Sequence, residues 1–149
     1  MSQKRVGLQT VKLSNPPSIL GTATIVGPKE GEGPLKDYFD TILEDDMWGQ
    51  ESFEKSEAKI QEEAIKQAIA NANLSPNDIE YLFSGDLLNQ ITTSSYTARQ
   101  LSIPYFGLYG ACSTMTESLS LGAMIIDGGL AEQVVCAISS HFSSAERQF

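Results

Sequence analysis

The sequence predicts an α/β fold, and three observations carry that prediction. Short apolar runs at 79–84, 105–109 and 133–139 alternate with stretches of helical period. The separations suit crossover helices, so a mixed, mostly parallel sheet is expected. The clearest helix, over 54–73, sets Ala58, Ile60, Ala64, Ile65, Ala68, Ile69 and Ala72 in one stripe, with Glu, Lys and Gln filling the other face.

The elements follow in order. Residues 1–17 are polar or turn-forming and close on Asn15-Pro16-Pro17. Residues 18–26 are β-branched and form a strand candidate, with Gly21 marking a bulge or a close packing contact. Gly27-Pro28 breaks it. Residues 29–53 mix acids and glycines with an apolar patch of Tyr38, Phe39, Ile42, Leu43, Met47 and Trp48, expected to pack back onto the domain. The spacing from Leu35 to Leu43 suits a short amphipathic helix. Ser75-Pro76-Asn77-Asp78 ends the long helix, the strand 79–84 follows, and a polar loop leads to a helix from Ser94 or Ser95 to Leu101.

The next stretch, Tyr105 to Gly129, organises the chain. It reads as a strand, a tight turn at Gly110-Ala111-Cys112, and a helix capped by Ser113 or Thr114 and ended by Gly128-Gly129. Met115, Leu119, Leu121, Ala123, Met124, Ile125 and Ile126 point in most directions, which predicts a helix buried all round. Such a turn presents the Cys112 thiol at the positive end of a helix dipole, where a thiolate is favoured and the pKa falls. The bland alternative is a small thiol filling a turn.

Composition narrows the class. The 149 residues suffice for one domain with a core, and 41% hydrophobic content with 19% charge is ordinary for a soluble globular protein. No apolar run approaches the ~20 residues of a membrane-crossing helix, and no secretory signal follows the N-terminal Met-Ser-Gln-Lys-Arg. A net charge of −9 argues against a general nucleic-acid binder. The charge is concentrated between Glu30 and Glu57, where ten acids face only Lys36 and Lys55. A solvated face explains that excess more simply than a partner surface. Cys112 and Cys136 lack metal or disulfide spacing, so both are expected as free thiols, Cys136 in the core. No metal and no cofactor are implied.

In sheets of this kind ligands gather at the carboxyl ends of strands, and Asp86, Asn89, Cys112 and His141 all follow strand ends. Gln90, Ser113 and Thr114 join them as candidate ligand contacts. The loop around Asp86, Asn89 and Gln90 is equally well explained by turn chemistry. His141 is the sole histidine. Its pairing with Cys112 as base and nucleophile would require hydrogen-bond reach.

The blocks Gly27-Pro-Lys-Glu30, Gly33-Pro-Leu35, Gly85-Asp-Leu-Leu-Asn-Gln90, Gly110-Ala-Cys-Ser-Thr114, Ser139-Ser-His141 and Ala145-Glu-Arg-Gln-Phe149 together resemble the stage V sporulation protein AD family. Ala-Cys-Ser after an apolar strand also looks like the nucleophile segment of thiolase-superfamily enzymes. The resemblance implies a thiolase-like fold of two similar halves. Residues 1–149 would then be an N-terminal half-domain that stops before the end of that half. It further implies a non-enzymatic, dipicolinic acid-binding component of spore dipicolinate uptake, with or without calcium. Other components of the uptake channel would be its partners, and its place would be cytoplasmic, peripheral to the spore or forespore inner membrane. A homodimer formed through the strand at 133–139 is implied as well. Arg99, Arg147 and Tyr109 could add charge and an aromatic wall to a dipicolinate site. The groups that activate the cysteine in the thiolase superfamily belong to the second half. Thr114 replaces the smaller Gly or Ser usual in condensing enzymes, which narrows the pocket. The alternatives are a Cys-dependent thiolase- or ketoacyl-synthase-like acyltransferase with Cys112 as nucleophile, or a domain that serves association alone.

Overall fold

The computed structural model describes residues 4–87 and 90–141. The chain opens with a hairpin in which β1 (Arg5–Val6) pairs antiparallel with β2 (Thr10–Val11). The polar composition of this stretch concealed it. Lys4 and the backbone N–H of Asn15 both bond the Asp127 carboxylate, which ties the hairpin to the far end of the chain.

Of the expected strand at 18–26, only β3 (Ile25–Val26) forms. It pairs in parallel with β4 (Thr41–Ile42), beyond the short helix α1 (Pro28–Gly31). Asp40 accepts from both the N–H and the hydroxyl of Thr24, pinning the two strands together. The helix expected over 35–43 is reduced to a single 3-10 turn at Lys36–Tyr38. The aromatic patch packs only in part. Leu43 is buried, but Tyr38 is 81% exposed. Trp48 instead lays its ring under the Lys59 ammonium, 4.4 Å from the ring centre.

Helix α2 (Phe53–Asn71) starts where Ser52 accepts from the Lys55 N–H. Its buried positions are Ser56, Glu57, Gln61, Ile65 and Ile69. The face that packs inward is therefore not the all-apolar stripe read from the sequence. Polar side chains fill its N-terminal half. A capping box between Ser75 and Asp78 then turns the chain into β5 (Tyr81–Asp86). Helix α3 (Thr92–Leu101), β6 (Tyr105–Gly107), α4 (Thr114–Asp127) and β7 (Val134–Ser139) complete the order.

The sheet runs β6-β5-β7 and both pairings are parallel, as the alternation predicts. On one face Leu82, Val135, Ala137 and Tyr105 meet Ile65, Ile69 and Ala98 of α2 and α3, and Ile79 and Ile103 close this core. Each fully buried isoleucine here contributes about 1.5–3 kcal/mol relative to exposure. On the other face Phe83 stacks on Phe106 with ring centres 5.0 Å apart, and α4 covers β5 and β7.

Helix α4 departs most from expectation, because it is not buried all round. Thr114, Ser118, Gly122 and Asp127 form its inward face. A Cβ on Gly122 would meet Cys136 Sγ at 2.9 Å, so small residues let the helix lie close on the sheet. The larger Met115, Leu119 and Met124 are 36%, 44% and 50% exposed. Cys136, expected in the core, is only half-buried and donates to the Ser118 carbonyl at 3.2 Å. Among the described residues no helix is long and apolar enough to cross a membrane.

Candidate functional site

Parallel pairing aligns the carboxyl ends of the strands. Asp86 at the end of β5 sits in register with Ser139 of β7, and the Cys112 turn follows β6. Gly85 joins these ends tightly. A Cβ there would lie 2.2 Å from the Leu108 carbonyl oxygen and 2.8 Å from Thr114 Cγ2. Glycine is required because the backbone leading into the Cys112 turn passes directly over β5.

The turn is a single 3-10 turn, Ala111–Ser113, running into α4. Ala111 takes φ 47°, the left-handed region that costs a non-glycine residue energy. Neither hydroxyl caps the helix in the expected way. Ser113 donates to the Gly110 carbonyl at 2.6 Å. Thr114, fully buried, donates to the Ala111 carbonyl and accepts from the Gly110 N–H. The two hydroxyls stitch the turn to itself and hold its shape. The Cys112 thiol is exposed, not enclosed. Tyr109 beside it is also exposed.

Asp86 is fully buried and its carboxylate is already engaged. It accepts from the N–H groups of Ile91 and Ser94 and from the Ser94 hydroxyl. It thus satisfies the orphan donors at the start of α3, the work of an N-cap done from the preceding strand. Ser94 in turn meets the Tyr105 hydroxyl at 2.7 Å, linking β6 to the same node, and burial pushes the Tyr105 hydroxyl pKa up. Asp86 thus holds the entrance of α3 in place. Gln90 lies exposed with φ 50°, at the entry to α3. Asn89 and Arg147 lie outside the described residues. Arg99 is exposed in the last turn of α3.

His141 is buried and packs against the loop and helix start at Asp46 and Phe53. Its Nε2 lies 2.9 Å from the Asp46 carbonyl, and its ring packs on Phe53 with centres 5.0 Å apart. With Nε2–H donating to that carbonyl, Nδ1 has no partner among the described residues. No hydrogen bond joins His141 to Cys112 among the described residues, so the nucleophile–base pair raised by the sequence is not assembled.

Sequence reasoning missed a buried polar cluster between α2 and the strand ends. Gln61 Nε2 donates to the Gly85 carbonyl and to Ser139 Oγ, both at 3.0 Å. The Ser139 hydroxyl donates to Glu57 Oε1 at 2.9 Å. Glu57, Gln61, Ile65 and Ile69 recur every four residues along one face of α2, and that spacing was the available signal.

Comparison with known proteins places this architecture. It aligns over 58% of the chain, at TM-score 0.53 and 20% identity, with the priming β-ketosynthase of the R1128 polyketide biosynthetic pathway, 28% of whose chain is covered. The likeness shows a thiolase-like fold. At family level, residues 7–149 match the model of stage V sporulation protein AD. The Bacillus subtilis (strain 168) stage V sporulation protein AD is 40% identical over 146 residues, which is 98% of this chain and 43% of that protein. The chain belongs to the stage V sporulation protein AD family, and it spans less than half the length of that curated relative.

Proposed function

We propose that this chain forms the N-terminal thiolase-like half-domain of a dipicolinic acid-binding component of spore dipicolinate uptake, acting by binding and not by acyl transfer. Family membership brings the sporulation context. The observation that carries the binding reading is how the titratable groups around the Cys112 turn are used. Asp86 is committed to α3, and His141 is turned to the Asp46 carbonyl. Cys112 therefore has neither neighbour as a base. What the turn offers is an exposed helix entrance, whose positive dipole end suits a carboxylate.

Dipicolinate is a rigid aromatic dianion that can chelate a cation. Its carboxylates would sit at the α4 entrance beside Cys112 and take donors of the loop bearing Asn89 and Gln90, and Tyr109 would wall the ring. The proposal extends to calcium as a companion of the ligand and to other components of the uptake channel as partners. It also includes a homodimer and a cytoplasmic position peripheral to the spore or forespore inner membrane.

Calorimetric titration of dipicolinate, with and without calcium, into this chain and into the full-length Bacillus subtilis relative tests the reading. Binding is expected to survive Cys112→Ala, because the helix entrance remains and no covalent step is involved. Absence of dipicolinate affinity in both proteins, together with acyl-thioester turnover that Cys112→Ala abolishes, would replace this reading with the acyltransferase.

A further inference from the structure

Charge is divided along the chain as well as unequal in sum. Residues 1–29 carry Lys4, Arg5, Lys12 and Lys29 and no Asp or Glu, which leaves all 19 acids and only six cations to the rest. The β1-β2 hairpin lies wholly within the cationic stretch. Residues 5–12 are exposed throughout. Leu8 at the turn is 90% exposed, the most of any large apolar side chain among the described residues, and Val6 beside it is exposed as well. An apolar tip between cations, on a molecule that is otherwise strongly acidic, marks a surface built for contact.

Strand pairing fixes what each face of the hairpin carries. Arg5 stands opposite Val11 and Val6 opposite Thr10. Alternation then puts Lys12 on the same face as Val6 and Thr10. Val11 and Leu13 border a shallow groove with Leu119 and Met124 of α4, which leaves the Val6 and Lys12 face turned away from that helix. The turn is preformed. Gly7 takes φ 73°, the left-handed region that suits glycine, and Arg5 Nη1 donates to the Leu8 carbonyl at 2.6 Å. The tip can therefore leave water with that carbonyl already satisfied, which lowers the cost of doing so. So short a hairpin would be marginal alone. Its base is held at the end of α4, where Lys4 and the Asn15 N–H both bond Asp127, so the acid at the base is paired.

We propose that the β1-β2 hairpin docks on an anionic lipid bilayer, with Leu8 and Val6 entering the headgroup boundary and Arg5 and Lys12 meeting lipid phosphates. Acidic lipids attract Lys and Arg within a Debye length, and the acyl boundary accepts the apolar side chains. The same surface repels the acidic remainder of the chain, so charge turns the hairpin toward the lipid. A single protruding leucine suits a fluid surface that yields around it, whereas a protein partner would need a recess shaped to receive it. The acidic segment 30–57 of a second copy is the rival occupant, and it would show as self-association without lipid. The proposal gives a structural basis to the membrane-peripheral position included in the reading above, and it rests on that reading only for which membrane is met. A footprint this small holds reversibly.

The test is flotation of the whole chain with vesicles of phosphatidylcholine alone, or of equal parts phosphatidylcholine and phosphatidylglycerol. The chain is expected to float with the anionic vesicles only, and to leave them in about 1 M salt, where the Debye length falls to ~3 Å. Arg5→Gln and Lys12→Gln should each lower vesicle affinity about fivefold, the step that ~1 kcal/mol per cation near an acidic leaflet represents. Leu8→Ser should lower it about tenfold. Leu8→Trp should gain an emission that moves to shorter wavelength on anionic vesicles, while emission from Trp48 in the unaltered chain stays in place. Unchanged far-ultraviolet circular dichroism confirms that each variant is folded. No flotation with anionic vesicles, equal flotation with neutral ones, or Leu8→Trp emission that lipid does not move would overturn the proposal. Lipid-free self-association that Arg5→Gln and Lys12→Gln abolish would overturn it too, by assigning the hairpin to a second copy. Dipicolinate titration is a separate measurement, so failure of either reading leaves the other standing.

Discussion

The two cysteines illustrate how far one residue's surroundings set its chemistry. Cys112 stands exposed on a strained turn, while Cys136 lies half-buried beneath α4 and burial pushes its thiol pKa up. Alkylation by iodoacetamide at neutral pH should therefore modify Cys112 many-fold faster than Cys136, as peptide mapping of partly labelled protein will show. Equal rates would mean that α4 opens freely from the sheet. Asp86 carries a second prediction at this scale. Asp86→Ala removes the acceptor for Ile91, Ser94 and the Ser94 hydroxyl. It should cost about 1–2 kcal/mol in urea unfolding, the range of a lost helix cap, with Asp86→Asn recovering part of it. The sequence showed Asp86 at a strand end, which is true of ligand contacts and of remote caps alike. The geometry of α3 shows the cap.

At the level of elements, α4 shows why hydrophobic content misled. Its apolar residues surround it, so periodicity alone implied burial on every side. The sheet is met instead by the small residues at 114, 118 and 122, because close approach to β5 and β7 excludes large side chains there. Met115, Leu119 and Met124 face outward. Leu119→Ser should accordingly leave helix content and unfolding midpoint nearly unchanged while reducing dye binding to exposed apolar surface. A midpoint that falls by several degrees would show that Leu119 packs against this chain. The strands tell the opposite story. β5 and β7 were legible because both are short apolar runs, and strands of a parallel sheet covered on both faces have that composition. The run at 18–26 has it too, yet most of it forms no ladder here, since no neighbouring strand lies alongside it among the described residues. Composition tells which residues can form a strand, and the partner decides whether they do.

Across the whole molecule, the N-terminal hairpin is joined to the C-terminal end of α4 by the Asp127 carboxylate. The backbone N–H of Asn15 and then the Lys4 ammonium lower its pKa below the ordinary 3.8. A carboxyl depressed on folding contributes stability that is fully present above its unfolded value and is lost as pH falls through its folded value. Acidification below about pH 4 should therefore release residues 5–11 before the β6-β5-β7 sheet unfolds, seen as faster amide exchange in the hairpin first. Asp127→Asn should remove that pH dependence. No sequence pattern foretold this pairing, since its partners lie at opposite ends of the chain. The same limit applies to His141, whose attachment to the Asp46 carbonyl depends on where a distant loop is carried. Motif spacing located the Cys112 turn and the strand ends, but it could not reveal which of their side chains were already committed.

The order β6-β5-β7 also has a consequence in time. β5 is the middle strand, and its second neighbour is made last. During synthesis β5 and β6 can pair as soon as both have left the ribosome, but the other edge of β5 stays bare until Ser139 emerges. At about 5–20 residues per second that interval is roughly 3–10 s. For those seconds the nascent chain exposes Phe83 and a row of open amides. This is the window in which a chaperone at the tunnel exit would find its binding site, and in which a ribosome stalled near residue 130 would leave a product prone to aggregate.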